Sequence, residues 1–334
     1  MKSLFLKKLS IAYIFAIVVF SIGITFIITS YLDKKENEKK IAENLNNCKY
    51  DIKRLDGFNF VKPLMFVDDE CEGDNLAITK QEITQVIENY KTTQNVSSAS
   101  VYIKDYYDVS WTSINSDEKF EPGSLFKVPI LIAYLKMEEQ IPGTLNKELL
   151  FKQNFSINKD VAFKSKSIVL GQKYKVSELL KYMISYSDNN ATGLLNNNLD
   201  LNILIKLFSD LGLKKPDFSA QHYYFTTRQF SLFMRALYNA SYLNINNSEF
   251  AVKLLSTCEF KEGILKGLPK DVKIAHKFGE SGNTQEIQLH ESAIVYLKDK
   301  PYLITVMTKG KDNKILSKLI ADISTITFKN LSNL

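Results

Sequence analysis

From Leu9 to Leu32 the chain runs 24 residues without a charge, most of them Ile, Phe, Val, Leu or Ala. As a helix this run extends about 36 Å, enough for a hydrocarbon core of roughly 30 Å with some tilt. Lys2, Lys7 and Lys8 precede it. Positive charge on that side predicts a short cytoplasmic tail, residues 1–8, with the bulk of the chain across the membrane. A cleaved signal peptide is the rival, but its apolar core is shorter and ends at a small-x-small site. Ile27-Ile28-Thr29-Ser30-Tyr31 is a poor one. The sequence thus predicts a single-pass signal anchor over 9–32. Cys48 lies too far from the run, with the wrong neighbours, to carry a lipid.

Beyond the anchor, residues 33–75 read as a stalk and strap. The stalk, Asp33 to Asn47, is rich in Lys, Glu and Asn. Residues 48–75 mix aromatic and acidic side chains around Lys62-Pro63-Leu64, as an extended strap would. The composition, 45% hydrophobic and 24% charged, excludes a disordered or collagen-like chain. A length of 334 residues buries a full core without metal or disulfide staples. The net charge of +6 rests on lysines scattered among acids, with Arg54, Arg228 and Arg235 the only arginines. Nucleic-acid binders gather charge on one face and use arginine to read phosphates and bases, so no nucleic-acid partner is expected. Three cysteines and three histidines offer no ligand spacing, and no metal or cofactor is expected. Outside the cytoplasm Cys48 and Cys71 are free to pair, whereas Cys258, in an apolar helical stretch, reads as a buried thiol.

Thr79-Lys80-Gln81-Glu82 forms a capping box before Ile83, Val86, Ile87 and Tyr90 at helical spacing. Val96–Ile103 and Val109–Ile114 read as paired strands turned at Asp105–Asp108. Residues 123–258 are helical in pattern. Strand signals return at Val272–Phe278, Ser292–Leu297 and Tyr302–Thr308, and Ile315–Phe328 is an amphipathic helix. The order predicts an α+β fold over residues 76–330: an antiparallel sheet flanked by the terminal helices, plus an all-helical subdomain.

Three short motifs carry the chemistry. Ser124-Leu125-Phe126-Lys127 opens a helix; the serine's N–H sits at the positive end of the dipole, and the lysine three residues on shares its face. Desolvated, such a lysine can act as a general base. Ser116-x-x-Lys119 and Ser156-x-x-Lys159 fit the same pattern, so this motif alone is weak. Ser187-Asp188-Asn189 occurs once, after an apolar helix, where it would equally serve as a helix cap. Lys277-Phe278-Gly279 ends a predicted strand, although Lys261-Glu262-Gly263 also matches.

The three in this order, each in its setting of helix start, interhelical turn and strand end, resemble the penicillin-recognising serine enzymes, the class A β-lactamases and penicillin-binding proteins. The resemblance extends from about Leu76 to Phe328. It implies that Ser124 is the acylated nucleophile with Lys127 as proton acceptor. By the same resemblance Ser187 relays a proton to the leaving nitrogen, and Asn189 holds Lys127 and the substrate amide. Asp188 and Gly279 are then structural, and Lys277 supplies positive potential for a substrate carboxylate. The backbone N–H groups of Ser124 and Glu280 form the oxyanion hole. The implied partner is a β-lactam or a peptidoglycan-type peptide, met by a monomer on the outer side of a bacterial cytoplasmic membrane.

Two departures bear on activity. The family's deacylating glutamate follows the Ser-Asp-Asn turn, but none occurs between Glu178 and Glu249; in the short loop between Leu213 and Thr226, Asp217 and His222 are the only ionisable candidates besides lysines and tyrosines. Slow release of the acyl group is expected. Phe278 stands where the family has a hydroxyl that binds the carboxylate, and no arginine follows Arg235 to compensate. The rivals are a D,D-peptidase acting on cell-wall peptides and a non-catalytic envelope binding protein on the same fold. Bland readings suit the rest: His276 and His290 as satisfied strand histidines, Trp111 as packing, and Tyr223-Tyr224-Phe225 as packing beneath the cleft.

Overall fold

The computed structural model describes residues 13, 17, 19–25, 28–32, 35, 50–69, 71–155, 163, 165–216, 223–283, 285–298 and 300–333. The chain divides into one unit of Met1–Asp51 with Asp68–Cys71 and another of Ile52–Val67 with Glu72–Leu334. In the first, residues 19–25 and 28–32 are helical and exposed. Among the described residues no helix is long and apolar enough to cross a membrane, and the run expected to do so lies partly outside them. Cys71 is disulfide-bonded; Cys48, its expected partner, also lies outside the described residues.

Strands β1 (Tyr50–Arg54) and β2 (Leu64–Asp69) form a small sheet, and Met65 and Phe66 of β2 are buried with the main core. Helix α1 (Ala77–Thr93) follows a 3-10 turn at Asp74–Leu76 without a side-chain cap. The expected capping box at Thr79 is therefore not the helix start. The turn enters helical geometry earlier and leaves Thr79 on the buried face beside Ile83, Ile87 and Tyr90. β3 (Val96–Asp105) pairs antiparallel with β4 (Trp111–Ile114), as the sequence predicts.

The helical part comprises α2 (Lys127–Gln140), α3 (Val176–Ser185), α4 (Asn189–Asn196), α5 (Leu201–Asp210), α6 (Thr227–Tyr238) and α7 (Ile245–Leu255). It is not purely helical: β5 (Glu148–Leu150) and β6 (Lys173–Lys175) pair within it. Cys258 is buried as expected but follows α7 instead of lying in a helix. Helix α2 is buried continuously from Lys127 to Leu135, the pattern of a central helix surrounded by others.

β7 (Lys273–Gly282), β8 (Ile287–Tyr296), β9 (Tyr302–Gly310) and α8 (Asn313–Ser332) complete the chain. The five-stranded antiparallel sheet has the order β4-β3-β9-β8-β7. One face buries Ile83 and Ile87 of α1 with Leu316, Leu319, Ile320 and Ile323 of α8; the other packs on the helical part through Ala275, Ile294, Leu303 and Met307. β8 begins earlier than the sequence suggests because Gln288, His290 and Glu291 are buried polar residues. Their hydrogen bonds satisfy them, and their polarity hides the strand's alternation. β7, at the sheet's edge, borders the helical part.

Candidate active site

The segment before α2 is tied to the sheet from several sides. Phe120 and Phe225 exchange backbone hydrogen bonds of 2.9 and 3.0 Å. The Glu121 carbonyl accepts from His290 Nε2 at 2.9 Å and from Ser281 Oγ at 2.9 Å. Burial pushes His290 down to about 3, so the ring is neutral, and the Thr308 N–H donates to its Nδ1 at 3.2 Å. Its single proton is then on Nε2, where Glu121 needs a donor. Gly123 has φ of +51°, and a β-carbon there would collide with the Glu280 carbonyl. Glycine thus permits both the left-handed backbone and the close approach. The 3-10 turn Gly123–Phe126 therefore lies directly against β7 and carries Ser124. Pro129 sits in the first turn of α2, where it removes no intrahelical bond.

Lys127, the first residue of α2, is 4% exposed. Its Nζ donates to the Ser187 carbonyl at 2.6 Å, to Asn189 Oδ1 at 2.8 Å and to Ser187 Oγ at 3.2 Å. Ser187 is held at φ of +54° in the turn between α3 and α4, a left-handed conformation that costs a serine free energy and aims both its oxygens at one side. Asp188 fixes that turn. It caps α4 through Asn190 N–H at 3.0 Å and Ala191 N–H at 3.3 Å, and accepts from Ser167 Oγ at 2.7 Å and Ile168 N–H at 3.0 Å. Cap and site turn are one structure. From β7, Lys277 Nζ donates to Ser187 Oγ at 2.9 Å and to the Phe278 carbonyl at 3.0 Å. Ser187, Asn189, Lys127 and Lys277 thus meet in one cluster, with Ser124 on the turn leading into Lys127.

Electrostatics set the two lysines apart from ordinary ones. Burial, reinforced by the nearby Lys277 charge, holds Lys127 well below the usual lysine range against the opposing pull of Asp188, Cys258 and Glu280. Burial lowers Lys277 to about 8, opposed by Cys258, Glu291 and Glu280. Desolvation disfavours the charged form, and two cations at one hydroxyl disfavour it further.

The third element is backbone. A β-carbon at Gly123 would also crowd the Glu280 nitrogen. In a strand the N–H and C=O of one residue point to the same side, so Glu280 turns both to the open edge of β7, beside the Ser124 turn. Gly279 lies against Pro122 O and Leu125 N, with no room for a β-carbon. The Ser124 hydroxyl makes no hydrogen bond to any described residue.

Phe278 packs, 5% exposed, stacked on Phe260 with centroids 4.4 Å apart and edge-on to Phe163 at 6.0 Å. The Lys277 ammonium lies 4.2 Å from its ring centroid. His276 Nδ1 pairs with Glu291 Oε1 at 2.6 Å and His290 is satisfied as described; Trp111 is buried beneath Arg228, 4.5 Å from its ring. Of the duplicate motifs, Ser116-x-x-Lys119 falls in the turn after β4 and Lys261-Glu262-Gly263 in the loop before a 3-10 turn. Ser156 and Lys159, like Asp217 and His222, lie outside the described residues. The motifs gave no sign of His290 and Gly123 as supports of the serine turn. Nor did they point to Phe260, which reaches Phe278 from a distant loop. Only the doubled left-handed and close-packed demand at Gly123, in a Pro-Gly-Ser run, had a local signal.

A five-stranded antiparallel sheet with a helical part and a lysine-bearing helix at its edge defines a β-lactamase-like α+β protein. Residues 78–331 match the Beta-lactamase enzyme family, and the chain belongs to it. Similar solved structures include PBP-A, 20% identical, covering 78% of this chain and 97% of that one with a TM-score of 0.66. The class A β-lactamase of Mycobacterium abscessus is 20% identical, covering 75% and 98% at 0.62. The TLA-1 extended-spectrum β-lactamase is 19% identical, covering 76% and 99% at 0.66. A mutant of PBP-A, 21% identical over 78% of this chain and 98% of that one at 0.65, is an acyl-enzyme complex with penicillin G. At these identities the likeness is one of fold. No curated protein matches.

Proposed function

We propose that this chain is a membrane-anchored, extracytoplasmic serine enzyme acylated at Ser124 by β-lactams or peptidoglycan-type amides, and that it deacylates slowly. The observation that carries the reading is the buried Lys127 with its lowered pKa, bonded to Ser187 and Asn189. A neutral amine has two N–H bonds, and the Ser187 carbonyl and Asn189 Oδ1 take both. Its lone pair is then left to accept a hydroxyl proton. Lys277, as an ammonium, donates to Ser187 Oγ, which frees the Ser187 proton to point elsewhere.

The chemistry follows from that arrangement. Lys127 takes the Ser124 proton as Oγ attacks the carbonyl carbon. The Ser124 and Glu280 N–H groups hold the developing oxyanion. Loss of one such donor typically costs about 3 kcal/mol of transition-state stabilisation. The proton returns through Ser187 to the departing nitrogen. Slow deacylation is supported by the absence of glutamate from 179 to 248. The anchor and external location are supported by the uncharged run 9–32 and the lysines before it. The D,D-peptidase reading keeps the same residues, and the missing glutamate is compatible with it where the acyl group passes to an amine acceptor in place of water.

The test is intact mass over time after mixing the detergent-solubilised full chain with penicillin G. An adduct lasting hours in the wild type and absent in Ser124→Ala is expected. A transient adduct with hydrolysed drug would overturn slow deacylation, and an adduct surviving in Ser124→Ala would overturn the assignment of the nucleophile.

A further inference from the structure

The loop joining β1 to β2 is fixed at its base and bare at its tip. The Leu55 N–H donates to the Pro63 carbonyl at 2.9 Å, and Arg54 Nη1 donates to the Lys62 carbonyl at 2.8 Å. Gly57, at φ of +96°, supplies the bend between them. Leu55 packs on the main core, and Lys53 Nζ donates to the Leu211 carbonyl just past α5 at 3.2 Å. Beyond this base Phe60 is 99% exposed. Phe58, Val61 and Ile52 of β1 are each more than half exposed. Single apolar side chains on a surface are ordinary, but three within four residues at the tip of one braced loop are a patch with a use.

We propose that this loop docks on a lipid surface: Phe58, Phe60 and Val61 enter the boundary between headgroups and acyl chains of an anionic bilayer, and the cations beside them meet the headgroups. The inference rests on the membrane anchor proposed above.

The charges fit such a surface. Arg54 and Lys62 flank the loop, both exposed, and neither is ion-paired with a described carboxylate. Lys214 and Lys215, equally exposed and unpaired among the described residues, follow Gly212, where a β-carbon would touch Lys53 Nζ of β1. Asp56 is the one acid within the loop, and Asp210 at the end of α5 is answered by Lys206. Phenylalanine on one side with lysine and arginine on the other is the composition of segments that lie in the membrane interface. Basic groups there gain from the negative potential of anionic lipid.

Reach fits as well. The uncharged run ends at Leu32, 20 residues before Ile52, so the intervening chain spans at most about 70 Å. A loop tethered that closely meets the bilayer at high effective concentration, and a few side chains suffice to hold it there. A ring exposed on every side also suits a fluid medium that closes around it, whereas a protein partner is met by a patch with packed surroundings.

Trp111 is the only tryptophan and is buried, so Phe60→Trp adds one reporter at the tip. The full chain carrying it is reconstituted in vesicles of phosphatidylcholine and phosphatidylglycerol, with or without bromine on the acyl chains. The wild type supplies the Trp111 background. Brominated lipid should quench the added emission at least about twofold, and iodide on both sides of the membrane should not, as expected for a depth of about 5–10 Å. Phe58→Asp with Val61→Asp, both at exposed positions, should abolish that quenching. Lys62→Glu with Lys215→Glu should weaken it, as should vesicles of phosphatidylcholine alone.

An added tryptophan quenched by iodide and untouched by bromine overturns the proposal. Shielding from both places the loop against protein, a second copy included, and overturns it equally. Bromine quenching that survives the paired aspartates overturns the assignment of the contact to these side chains. Flotation of the vesicles separates the two readings. A chain that floats with its tryptophan in water keeps the anchor and loses this contact; a chain that does not float loses both.

Discussion

His276 and Lys277 are adjacent on β7 and both buried, yet strand alternation sends them to opposite faces with opposite electrostatic settings. On the face toward the helices, Lys277 and Lys127 converge on one serine, and no described carboxylate hydrogen-bonds either ammonium. On the other face, His276 meets a glutamate whose second oxygen takes the Ile264 N–H. The paired arrangement closes its own hydrogen bonds and ties the loop before Ile264 to the sheet. The unpaired one leaves two amines displaced from their ordinary protonation, at a cost to folding. Burial is common to both faces; a carboxylate in hydrogen-bond contact is found on one of them.

The comparison breaks most sharply at Lys127. Lys127→Met should slow formation of the penicillin adduct about 1000-fold, within the range for loss of a general base, while its urea-unfolding free energy stays equal or rises. A variant that keeps its acylation rate, or unfolds far more readily, would place Lys127 among the structural residues.

Lys277→Met should follow with a loss of about 100-fold, measured the same way. It should also change the pH profile. Burial lowers Lys277 to about 8, so the ammonium that orients Ser187 is present below that pH and lost as pH rises through it. Wild-type acylation should therefore decline above about pH 8, and the Lys277→Met profile should lack that limb. A wild-type rate still flat at pH 9.5 would contradict the assignment.

The smallest kinetic effect belongs to the other face. His276→Ala leaves Glu291 Oε1 buried without its partner. It should lower the unfolding free energy by about 2 kcal/mol, while acylation per folded molecule stays within about twofold. Urea titration and active-site counting by mass separate the two. A large kinetic loss at full stability would mean that the two faces are not separate in function.

The order of helix, strand pair, helical section, three strands and helix was legible because each element of the sheet and its covering helices keeps an apolar period. Ile83, Ile87 and Tyr90, or the alternation in β3, show it. The start of β8 was not legible, because Gln288, His290 and Glu291 are polar residues in buried positions that only distant partners justify. The short β5–β6 pair has too few residues to set a period. In the site, Ser187, Asn189, Lys127 and Lys277 are found together where the motifs placed them. The surroundings of Phe278 were hidden, since its stacking partner Phe260 and the charge beneath it at Glu291 come from elsewhere in the chain.

Gly279 has no space for a side chain, because Pro122 O and Leu125 N already fill it, and Gly123 is closed in the same way by Glu280. Phe278 lies between Lys277 and Gly279 but sends its ring to the opposite face from Lys277, against Phe260. The three neighbours therefore answer to different constraints: 277 to the lysine–serine cluster, 278 to aromatic packing and 279 to the turn that carries the serine. A side chain exchanged at 278 falls on Phe260 and Phe163, whereas one added at 279 displaces the turn that carries the serine. Inheritance at three consecutive positions is thus restrained by three unrelated demands.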